Sequence, residues 1–397
     1  MMRRDTIGTI VQGDHILCFS HLRWTWVWQR PQHLLTQLVR QGGGRIFFIE
    51  EPLPRDEDPA DEPRPSWRYE EVAPGITRCV PRCDAAWPFF LEDDGADTRA
   101  MRQLLSELIQ QHAVTASIAW VYTPLAFPLL RDLHPRAIVY DCMDELALFK
   151  GAPPELRSRE EALLRRADVV FAGGRSMYEA RVGRHPNVHL FPSSVDHAHF
   201  AQALDPTAPV PADARPGTPT LGFYGVLDER LDRELVDAVA ALRPDWSFVL
   251  VGPVAKIAPE DLPRRANLHY PGQRSYAELP SYLKGWDVCL MPFALNDATR
   301  YISPTKTLEY LAADKPIVST SVPDVVAGYR GVVRFGDDPE TFVAQCAAAL
   351  HESAAERERR LVAGRELLHR TSWAATAAQM RTLLDAAIAE RVAVVSD

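Results

Sequence analysis

The sequence predicts two doubly wound α/β domains, each built on a parallel sheet. Its 397 residues are more than one ordinary hydrophobic core accommodates. Short, continuously apolar runs alternate with amphipathic helical patterns, which is typical of parallel strands covered by helices on both faces. A proline-rich stretch interrupts this alternation at mid-chain, as a connection between two domains does.

We expect the first domain over residues 1–202. A helical pattern occupies Gln32–Arg40, and the predicted strands are His15–Ser20, Arg45–Glu50, Ser117–Tyr122, Ala137–Asp141, Val169–Ala172 and Val188–Phe191. Residues 203–220 contain five prolines and no hydrophobic periodicity. This composition predicts a linker.

The alternation restarts after the linker, so we expect a second domain over residues 221–375. Its predicted strands are Thr220–Tyr224, Trp246–Gly252, Val288–Pro292 and Pro316–Thr320. Residues 357–392 place apolar side chains at intervals of three and four, which predicts helix. We assign residues 376–397 to a separate C-terminal helix.

Composition excludes several classes of protein. The chain is 46% hydrophobic and 24% charged, which is typical of a soluble globular protein and not of a disordered one. Its net charge of −9 without a basic stripe argues against nucleic-acid binding. No apolar run is long enough to span a membrane, and no signal peptide is evident. Six scattered cysteines favour a reducing cytoplasm.

Ligands of doubly wound domains bind at the carboxyl ends of the strands, which directs attention to the turn after Thr220–Tyr224. Gly225 would let an anion approach backbone N–H groups, and Arg230 could neutralise a phosphate. The turn matches neither a dinucleotide fingerprint nor a P-loop. A tight β–α turn without a ligand is the other interpretation.

A second candidate segment runs from Tyr301 to Tyr310. Ser303 followed by proline predicts a helix start with Ser303 as the N-cap. Lys306 would then lie in the first turn, where a cation opposes the helix dipole unless an anion shares the site. Only five of the 44 basic residues are lysines, so lysine at this position is informative. Glu309, one turn on, could accept hydrogen bonds from ribose hydroxyls; a surface ion pair with Lys306 is the alternative.

The first domain offers candidates for a general base. Asp144, and after it Asp141, follow a predicted strand and could take a proton from a hydroxyl group. The alternative is a helix N-cap together with a satisfied core aspartate. His21, in the first predicted β–α loop, is a further candidate base, although a loop histidine often only forms hydrogen bonds.

The first loop is rich in tryptophan and arginine. Trp24, Trp26 and Trp28 could stack on sugar rings, and Arg23 and Arg30 could bind an acidic sugar or a lipid diphosphate. The alternative is that two of the three tryptophans only anchor the following helix. The apolar run Ala85–Leu91 could similarly touch a membrane surface, or be buried.

We predict no metal site. Residues Asp56, Glu57 and Asp58 are the one local match to an Asp-x-Asp metal signature. They lie in an acidic, proline-rich stretch that is better explained as a solvated loop, because a metal site needs ligands on a rigid frame.

Several of these segments resemble GT-B glycosyltransferases. SPTKTLEYLAADKPIVST is similar to their nucleotide-sugar-binding segment, and FYGVLDERLD is similar to their diphosphate loop. HLRWTWVWQRPQHLL and YDCMDELALF resemble the bacterial polysaccharide-synthesis members, of the family 1 and family 4 type, and LFPSSVDHAHF resembles the segment that enters the interdomain linker. The resemblance covers roughly residues 15–330.

The resemblance implies the GT-B fold, in which two Rossmann-like domains face each other across a cleft. The C-terminal domain would hold the nucleotide sugar and the N-terminal domain the acceptor, and the last helix would be able to cross back to the N-terminal domain. The implied donor-binding residues are Gly225, Arg230 and Lys306 at the diphosphate, Ser303 and Thr305 beside it, and Glu309 at the ribose. Tyr301 stands where many retaining members have a glutamate.

The implied activity is a metal-independent, hexosyltransferase-like transfer from a nucleoside diphosphate sugar to a hydroxyl group. A UDP-sugar is slightly favoured over a GDP-sugar as co-substrate, and no other cofactor is implied. The acceptor would be a glycan or a lipid-linked saccharide of bacterial polysaccharide synthesis, reached in the cytoplasm or at the inner face of the membrane. The alternatives are an isomerase like the nucleotide-sugar 2-epimerases, or a non-catalytic partner subunit with this fold.

Overall fold

The computed structural model describes residues 14–42, 44–53 and 64–396. The chain divides into two compact units. The first comprises the chain up to Pro192 together with the segment from Trp373 onward, and the second is Ser193–Ser372. Each unit is built on its own sheet, with eight strands in the described part of the first and six in the second.

The first sheet has the strand order β3-β4-β2-β1-β5-β6-β7-β8. All pairs are parallel except β3 with β4. The strands are β1 His15–Ser20, β2 Ile46–Glu50, β3 Ser66–Ala73, β4 Ile76–Arg82, β5 Ser117–Val121, β6 Ala137–Cys142, β7 Val169–Ala172 and β8 Val188–Leu190. The helices that follow these strands are α1 Arg30–Arg40, α2 Ala96–Gln111, α3 Glu155–Arg166 and α4 Arg175–Arg181.

The second sheet is entirely parallel in the order β11-β10-β9-β12-β13-β14. Its strands are β9 Thr220–Tyr224, β10 Ser247–Val251, β11 Leu268–Gly272, β12 Val288–Met291, β13 Ile317–Ser319 and β14 Val333–Phe335. Its helices are α5 His197–Phe200, α6 Arg233–Leu242, α7 Leu279–Gly285, α8 Lys306–Ala312, α9 Pro323–Tyr329, α10 Pro339–Leu350 and α11 Ala354–His369.

The last helix, α12, spans Trp373–Ser396 and packs in the first unit. Its buried residues Trp373 and Leu384 belong to the same apolar cluster as Leu34 and Leu38 of α1. Arg391 is paired with Asp168 at 2.8 Å. The helix therefore begins three residues before the predicted boundary and completes the core of the first unit.

The predicted linker is wrong in its placement. Residues 193–220 belong to the second unit, so the division falls after Pro192 and not after residue 202. Ala203 and Ala214 are buried in the core of the second unit, and the Lys284 ammonium donates to the backbone carbonyls of Asp205 and Pro206 at 2.7 and 2.9 Å. The proline-rich stretch forms only short helical turns, but its contacts with Lys284 and with the core fix it to the second unit.

The predicted apolar patch at Ala85–Leu91 is largely turned inward. Phe89 and Phe90 are buried, while Trp87 is 55% exposed. One exposed ring offers far less apolar surface than the seven-residue run suggested. In the described part of the chain, no helix combines the length and hydropathy needed to cross a membrane.

Candidate functional site

The carboxyl end of β9 brings two predicted ligand-binding residues into contact. The strand ends at Tyr224, and Gly225 follows with φ of +152°. A Cβ atom at Gly225 would lie 2.6 Å from Cε and 3.0 Å from Nζ of Lys306. Glycine is therefore required both by the backbone angle and by the close approach of the lysine.

The helix that carries Lys306 begins two residues later than the Ser-Pro motif predicted. Helix α8 starts at Lys306 itself, and the Thr305 carbonyl accepts from Leu308 N and Glu309 N at 3.1 and 3.3 Å. Ser303 is therefore not its N-cap, because residues 302–304 form a non-helical entry. The correction leaves Lys306 in the first turn, as expected.

Lys306 is a half-buried cation with no hydrogen-bond or ion-pair partner among the described residues. In the described structure its ammonium forms no hydrogen bond or ion pair; it lies 5.7 Å from the centroid of the Phe223 ring. Burial lowers the pKa of Lys306, and the nearby Glu309 carboxylate opposes that shift. The expected alternative, an ion pair between Lys306 and Glu309, is not formed. A half-buried ammonium in this state is a natural site for an anion.

Two other lysines of the second unit differ from Lys306, because their ammonium groups form hydrogen bonds within the protein. The Lys315 ammonium donates to the Trp286 carbonyl at 2.7 Å, and Lys284 is held by backbone carbonyls as described above. Both act as structural hydrogen-bond donors. Lys306 does not, and this difference favours a ligand-binding role.

Glu309 is fixed by a residue that the sequence analysis missed. The Tyr224 hydroxyl donates to Oε2 of Glu309 at 2.5 Å. Burial raises the pKa of Glu309, and Lys306 and the Tyr224 hydroxyl counter that effect. Tyr224 itself packs edge-on against Tyr310 at 5.2 Å. The only local signal for Tyr224 was its position directly before Gly225.

Arg230 is already paired. Its guanidinium contacts the Asp228 carboxylate, with Nη2–Oδ2 at 2.7 Å and Nε–Oδ1 at 3.0 Å. Its side chain remains partly exposed. A diphosphate at Gly225 would therefore have to share this guanidinium with Asp228, so Arg230 is a weaker anion site than Lys306.

The other predicted residues of this segment lie close in the chain to Lys306. Tyr301, Ser303 and Thr305 are all half-buried. The guanidinium of Arg300 lies 5.6 Å from the centroid of the Tyr301 ring, and the Thr305 side chain hydrogen-bonds Glu309. Thr305 thus helps to orient Glu309.

In the first unit, Asp141 is a structural carboxylate and not an available base. It lies at the end of β6, fully buried. Nη2 and Nε of Arg30 contact its Oδ1 at 2.9 and 3.0 Å, and Nη1 of Arg30 donates to the Phe191 carbonyl at 2.8 Å. Arg30, proposed above as an acceptor ligand, is likewise buried in this pair. Such a pair holds α1 to the end of the sheet.

The same loop is held again just beyond Asp144. The buried Arg181 guanidinium contacts Oε2 of Glu145 at 2.7 Å and also pairs with Glu160. Glu160 in turn accepts from the Tyr140 hydroxyl at 2.9 Å. Asp144 is half-buried and lies between the two anchored carboxylates, which leaves it as the candidate base of this loop.

The first β–α loop is tied to the end of β2. Nη1 of Arg23 lies 3.3 Å from Oε2 of Glu50, and Nη2 donates to the Pro52 carbonyl at 2.8 Å. Trp24 is 5% exposed and packs edge-on against Phe48 at 5.0 Å. Trp24 therefore anchors the loop and cannot stack on an acceptor, and Arg23 is committed to the same structural role.

Trp26 and His21 remain in that loop. Trp26 is 36% exposed, which is enough ring surface to contact a ligand. His21 is half-buried directly after β1. Of the three tryptophans predicted to contact an acceptor, Trp26 and Trp28 keep accessible rings, and Trp24 does not.

Glu51 is a further carboxyl group that the sequence analysis missed. It follows β2, whose carboxyl end lies at the same sheet edge as those of β1 and β6. Burial raises the pKa of Glu51 to about 7, while Arg23 lowers it. Its Oε1 is buried without a hydrogen-bond partner in the described structure. Its place in an acidic, proline-rich stretch had indicated a solvated loop.

No metal centre is formed by the residues that the structure describes. They contain no group of three or more histidine, cysteine, aspartate or glutamate side chains that could hold an ion. Asp56, Glu57 and Asp58 lie outside the described residues.

Comparison with known proteins agrees with this architecture. Residues 218–352 match the model of the family "Glycosyl transferases group 1", a range that includes Gly225, Lys306 and Glu309. Over 277 residues the chain is 28% identical to the putative teichuronic acid biosynthesis glycosyltransferase TuaH of Bacillus subtilis (strain 168), covering 64% of this chain and 68% of that protein.

Solved structures extend the likeness to nearly the whole chain. Sucrose-phosphate synthase from Thermosynechococcus elongatus superposes with a TM-score of 0.65 at 16% identity, covering 97% of this chain and 100% of that one. The UDP-forming alpha,alpha-trehalose-phosphate synthase from Burkholderia xenovorans gives 0.63 at 16% identity, over 94% and 100%. The chain therefore has the fold of these structures, and residues 218–352 of its second unit match the group 1 glycosyl transferase model.

Proposed function

We propose that this protein transfers a sugar from a nucleoside diphosphate sugar to an acceptor hydroxyl, in the manner of a hexosyltransferase. The observation that carries the proposal is the half-buried Lys306 ammonium, which lies against Gly225 and has no hydrogen-bond or ion-pair partner in the described structure. An enclosed cation beside a glycine turn fits a bound diphosphate, because the anion supplies the missing charge and the turn admits it.

Lys306 would act on the leaving group. As the bond between sugar and diphosphate breaks, negative charge grows on the diphosphate oxygens. A fixed ammonium in a poorly hydrated site stabilises that charge more than water does. We propose that Lys306, with Arg230 in a secondary role, makes a metal ion unnecessary.

Glu309 would hold the ribose. Its Oε2 already accepts from Tyr224, so the tyrosine sets the orientation of the carboxylate before the donor arrives. Ribose hydroxyls would donate to the same group, which must be ionised to accept them. Ser303 and Thr305 would lie at the phosphate end, and Tyr301 leaves no carboxylate at its position.

Asp144 is our candidate for the base that takes the proton of the acceptor hydroxyl. A base of this kind fits an inverting displacement, in which the hydroxyl attacks as the diphosphate departs. The anchors Arg30 and Arg181 on either side would keep the loop in place. Trp26 would offer its exposed ring to a sugar of the acceptor.

For the substrates, we propose a UDP-sugar and a glycan or lipid-linked acceptor of bacterial polysaccharide synthesis. The first rests on the resemblance and on the UDP-forming name of the Burkholderia neighbour. The second rests on the Bacillus relative, which is named for teichuronic acid biosynthesis. We place the reaction in the cytoplasm or at the inner face of the membrane.

Thermal denaturation with UDP, GDP, dTDP and CDP, each with and without magnesium, tests the proposal. A ligand at 100 times its dissociation constant adds about 2.7 kcal/mol of stability, so we expect a clear rise in Tm with UDP and no need for magnesium. The matched Lys306→Ala variant should lose the shift. No shift with any of the four diphosphates would contradict the proposed donor site.

A further inference from the structure

A cavity of about 320 Å³ lies in the second unit, apart from the residues discussed so far. It opens between the segment that leads into β14 and the first turns of α11. Its charged lining consists of four arginines and two glutamates: Arg330, Arg334, Arg359, Arg360, Glu352 and Glu356. The lining thus carries two more positive than negative charges, in a chain whose net charge is −9.

One arginine of the cavity is fully satisfied. The Arg360 guanidinium contacts Glu352 with Nε–Oε1 at 3.0 Å and Nη2–Oε2 at 2.9 Å, and its Nη1 donates to the Asp314 carbonyl at 3.1 Å. Both side chains of this pair are buried. The pair explains how α11 is fastened to the unit, and it leaves no positive charge for a ligand.

The second glutamate is also occupied. Oε2 of Glu356 accepts from the backbone N and the hydroxyl of Ser353 at 2.9 and 2.6 Å, which closes the capping box of α11. Nη2 of Arg334 is 4.0 Å from the nearest oxygens of Glu352 and Glu356, too far for a hydrogen bond. Arg334 lines the cavity and is held there by two long ion pairs, with no hydrogen bond in the part of the chain that the structure describes.

The remaining two arginines have no partner in the described structure. Arg330 and Arg359 form no hydrogen bond or ion pair there, although both line the cavity. Two exposed guanidinium groups thus lie at the same cavity as the long ion pairs of Arg334 with Glu352 and Glu356. Like charges gathered in this way repel one another unless an anion joins them.

The cavity is separate from the candidate donor residues. Arg330 precedes β14, at the amino end of that strand, whereas Gly225 follows the carboxyl end of β9. All strands of this sheet are parallel, so the two ends lie at opposite edges. A nucleotide sugar at Gly225 would not reach the arginines.

We propose that this cavity binds a phosphate-bearing anion. The planar guanidinium fork matches two phosphate oxygens at once and remains charged at every relevant pH. The volume is at the lower end of the range of small-molecule pockets, about 300–1,000 Å³. The phosphate could belong to a soluble metabolite or to a lipid headgroup, and the test separates these two sources.

The test measures binding of inorganic pyrophosphate by titration calorimetry, and co-sedimentation with phosphatidylcholine vesicles with and without phosphatidylglycerol. Both are carried out in the Lys306→Ala chain, so that the donor residues do not contribute and a failure of the proposed donor site leaves the result unaffected. We expect Arg330→Ser with Arg359→Ser to weaken binding by at least about tenfold, since each lost charge-assisted hydrogen bond costs that much.

Arg365→Ser is the matched control, because Arg365 is an exposed arginine of α11 paired with Glu358 outside the cavity. It should bind like its parent. Loss of pyrophosphate binding in the double variant alone identifies a soluble ligand, and loss of vesicle binding alone identifies a lipid headgroup. Equal binding by the double variant and its parent, equal loss in Arg365→Ser, or binding of neither probe would overturn the proposal.

Discussion

At the carboxyl ends of their strands, the two sheets differ in whether the charged side chains named here are paired within the protein. In the first unit Asp141 is neutralised by Arg30, and Glu145 by Arg181. In the second, the Lys306 ammonium has no protein partner in the described structure. Paired buried charges are costly to break and hold elements together, whereas an unpaired buried charge points to a ligand. The first edge is thus organised by its own side chains, whereas at the second we propose that a bound anion supplies the counter-charge of Lys306.

Three carboxylates at the end of β6 and in the loop after it also differ in how they are held. Asp141 and Glu145 are fixed by arginines, while Asp144 lies between them and only half-buried. We propose that Asp144, on a loop whose flanking carboxylates are anchored, takes the proton of the acceptor hydroxyl. We expect the Arg30–Asp141 pair to govern stability, and Asp144 and Lys306 to govern turnover.

The largest effect is expected from Asp144→Asn. If Asp144 takes the acceptor proton, the variant should lose roughly 10²–10⁴-fold in kcat and keep its affinity for the nucleoside diphosphate. Steady-state kinetics together with diphosphate titration measure both. A rate close to that of the unmodified protein would move the base to Glu51 or His21.

Lys306→Ala should lower kcat by about 10²–10³-fold and weaken diphosphate binding. Its Tm without ligand should not fall, because the lysine makes no hydrogen bond or ion pair that folding depends on. Lys150→Ala is the control, since Lys150 is an exposed lysine. Unchanged diphosphate affinity in Lys306→Ala would remove the contrast between the two edges.

Asp141→Asn should affect stability most. The change leaves the Arg30 guanidinium buried without its counter-charge, and breaking such a pair costs about 3–5 kcal/mol in the free energy of unfolding. Urea denaturation measures this, with Asp144→Asn as the matched control that should unfold like the parent. A stable but inactive Asp141→Asn would instead show that Asp141 takes part in the reaction.

The smallest effect is expected from Tyr224→Phe. Loss of one hydrogen bond to Glu309 should weaken donor binding by roughly 2–10-fold. Burial already raises the pKa of Glu309 and the Tyr224 hydroxyl lowers it, so removing the hydroxyl raises the pKa further. Because the ionised carboxylate binds ribose, the loss of donor affinity on acidification should begin at a higher pH than in the parent.

Tyr310→Phe is the control for that variant. Tyr310 packs against Tyr224, and its hydroxyl accepts from Tyr224 N at 3.4 Å. It should leave the pH dependence of donor affinity in place. An unshifted pH dependence in Tyr224→Phe would show that Tyr224 does not orient Glu309.

Strands and motifs that show themselves within a few consecutive residues could be predicted from the sequence. Strands such as β1, β6 and β9 were predicted because a strand that is buried on both faces is a continuous run of apolar residues, which is easily recognised in the sequence. Strand β3, with its exposed polar positions, gave no such signal and was missed. Lys306 and Glu309 were found together because they are three residues apart on one helix, so a single motif contains both.

Contacts between side chains that are far apart in the chain could not be predicted from the sequence and are seen only in the folded structure. Arg30 and Asp141 are 111 residues apart, Tyr224 and Glu309 are 85 apart, and α12 joins the first unit from the far end of the chain. Hydrophobic periodicity reports which face of an element is buried, but not what that face meets. For this reason the sequence could name both Asp144 and Asp141 as candidate bases, and only the packed partner Arg30 shows that Asp141 is held in the core.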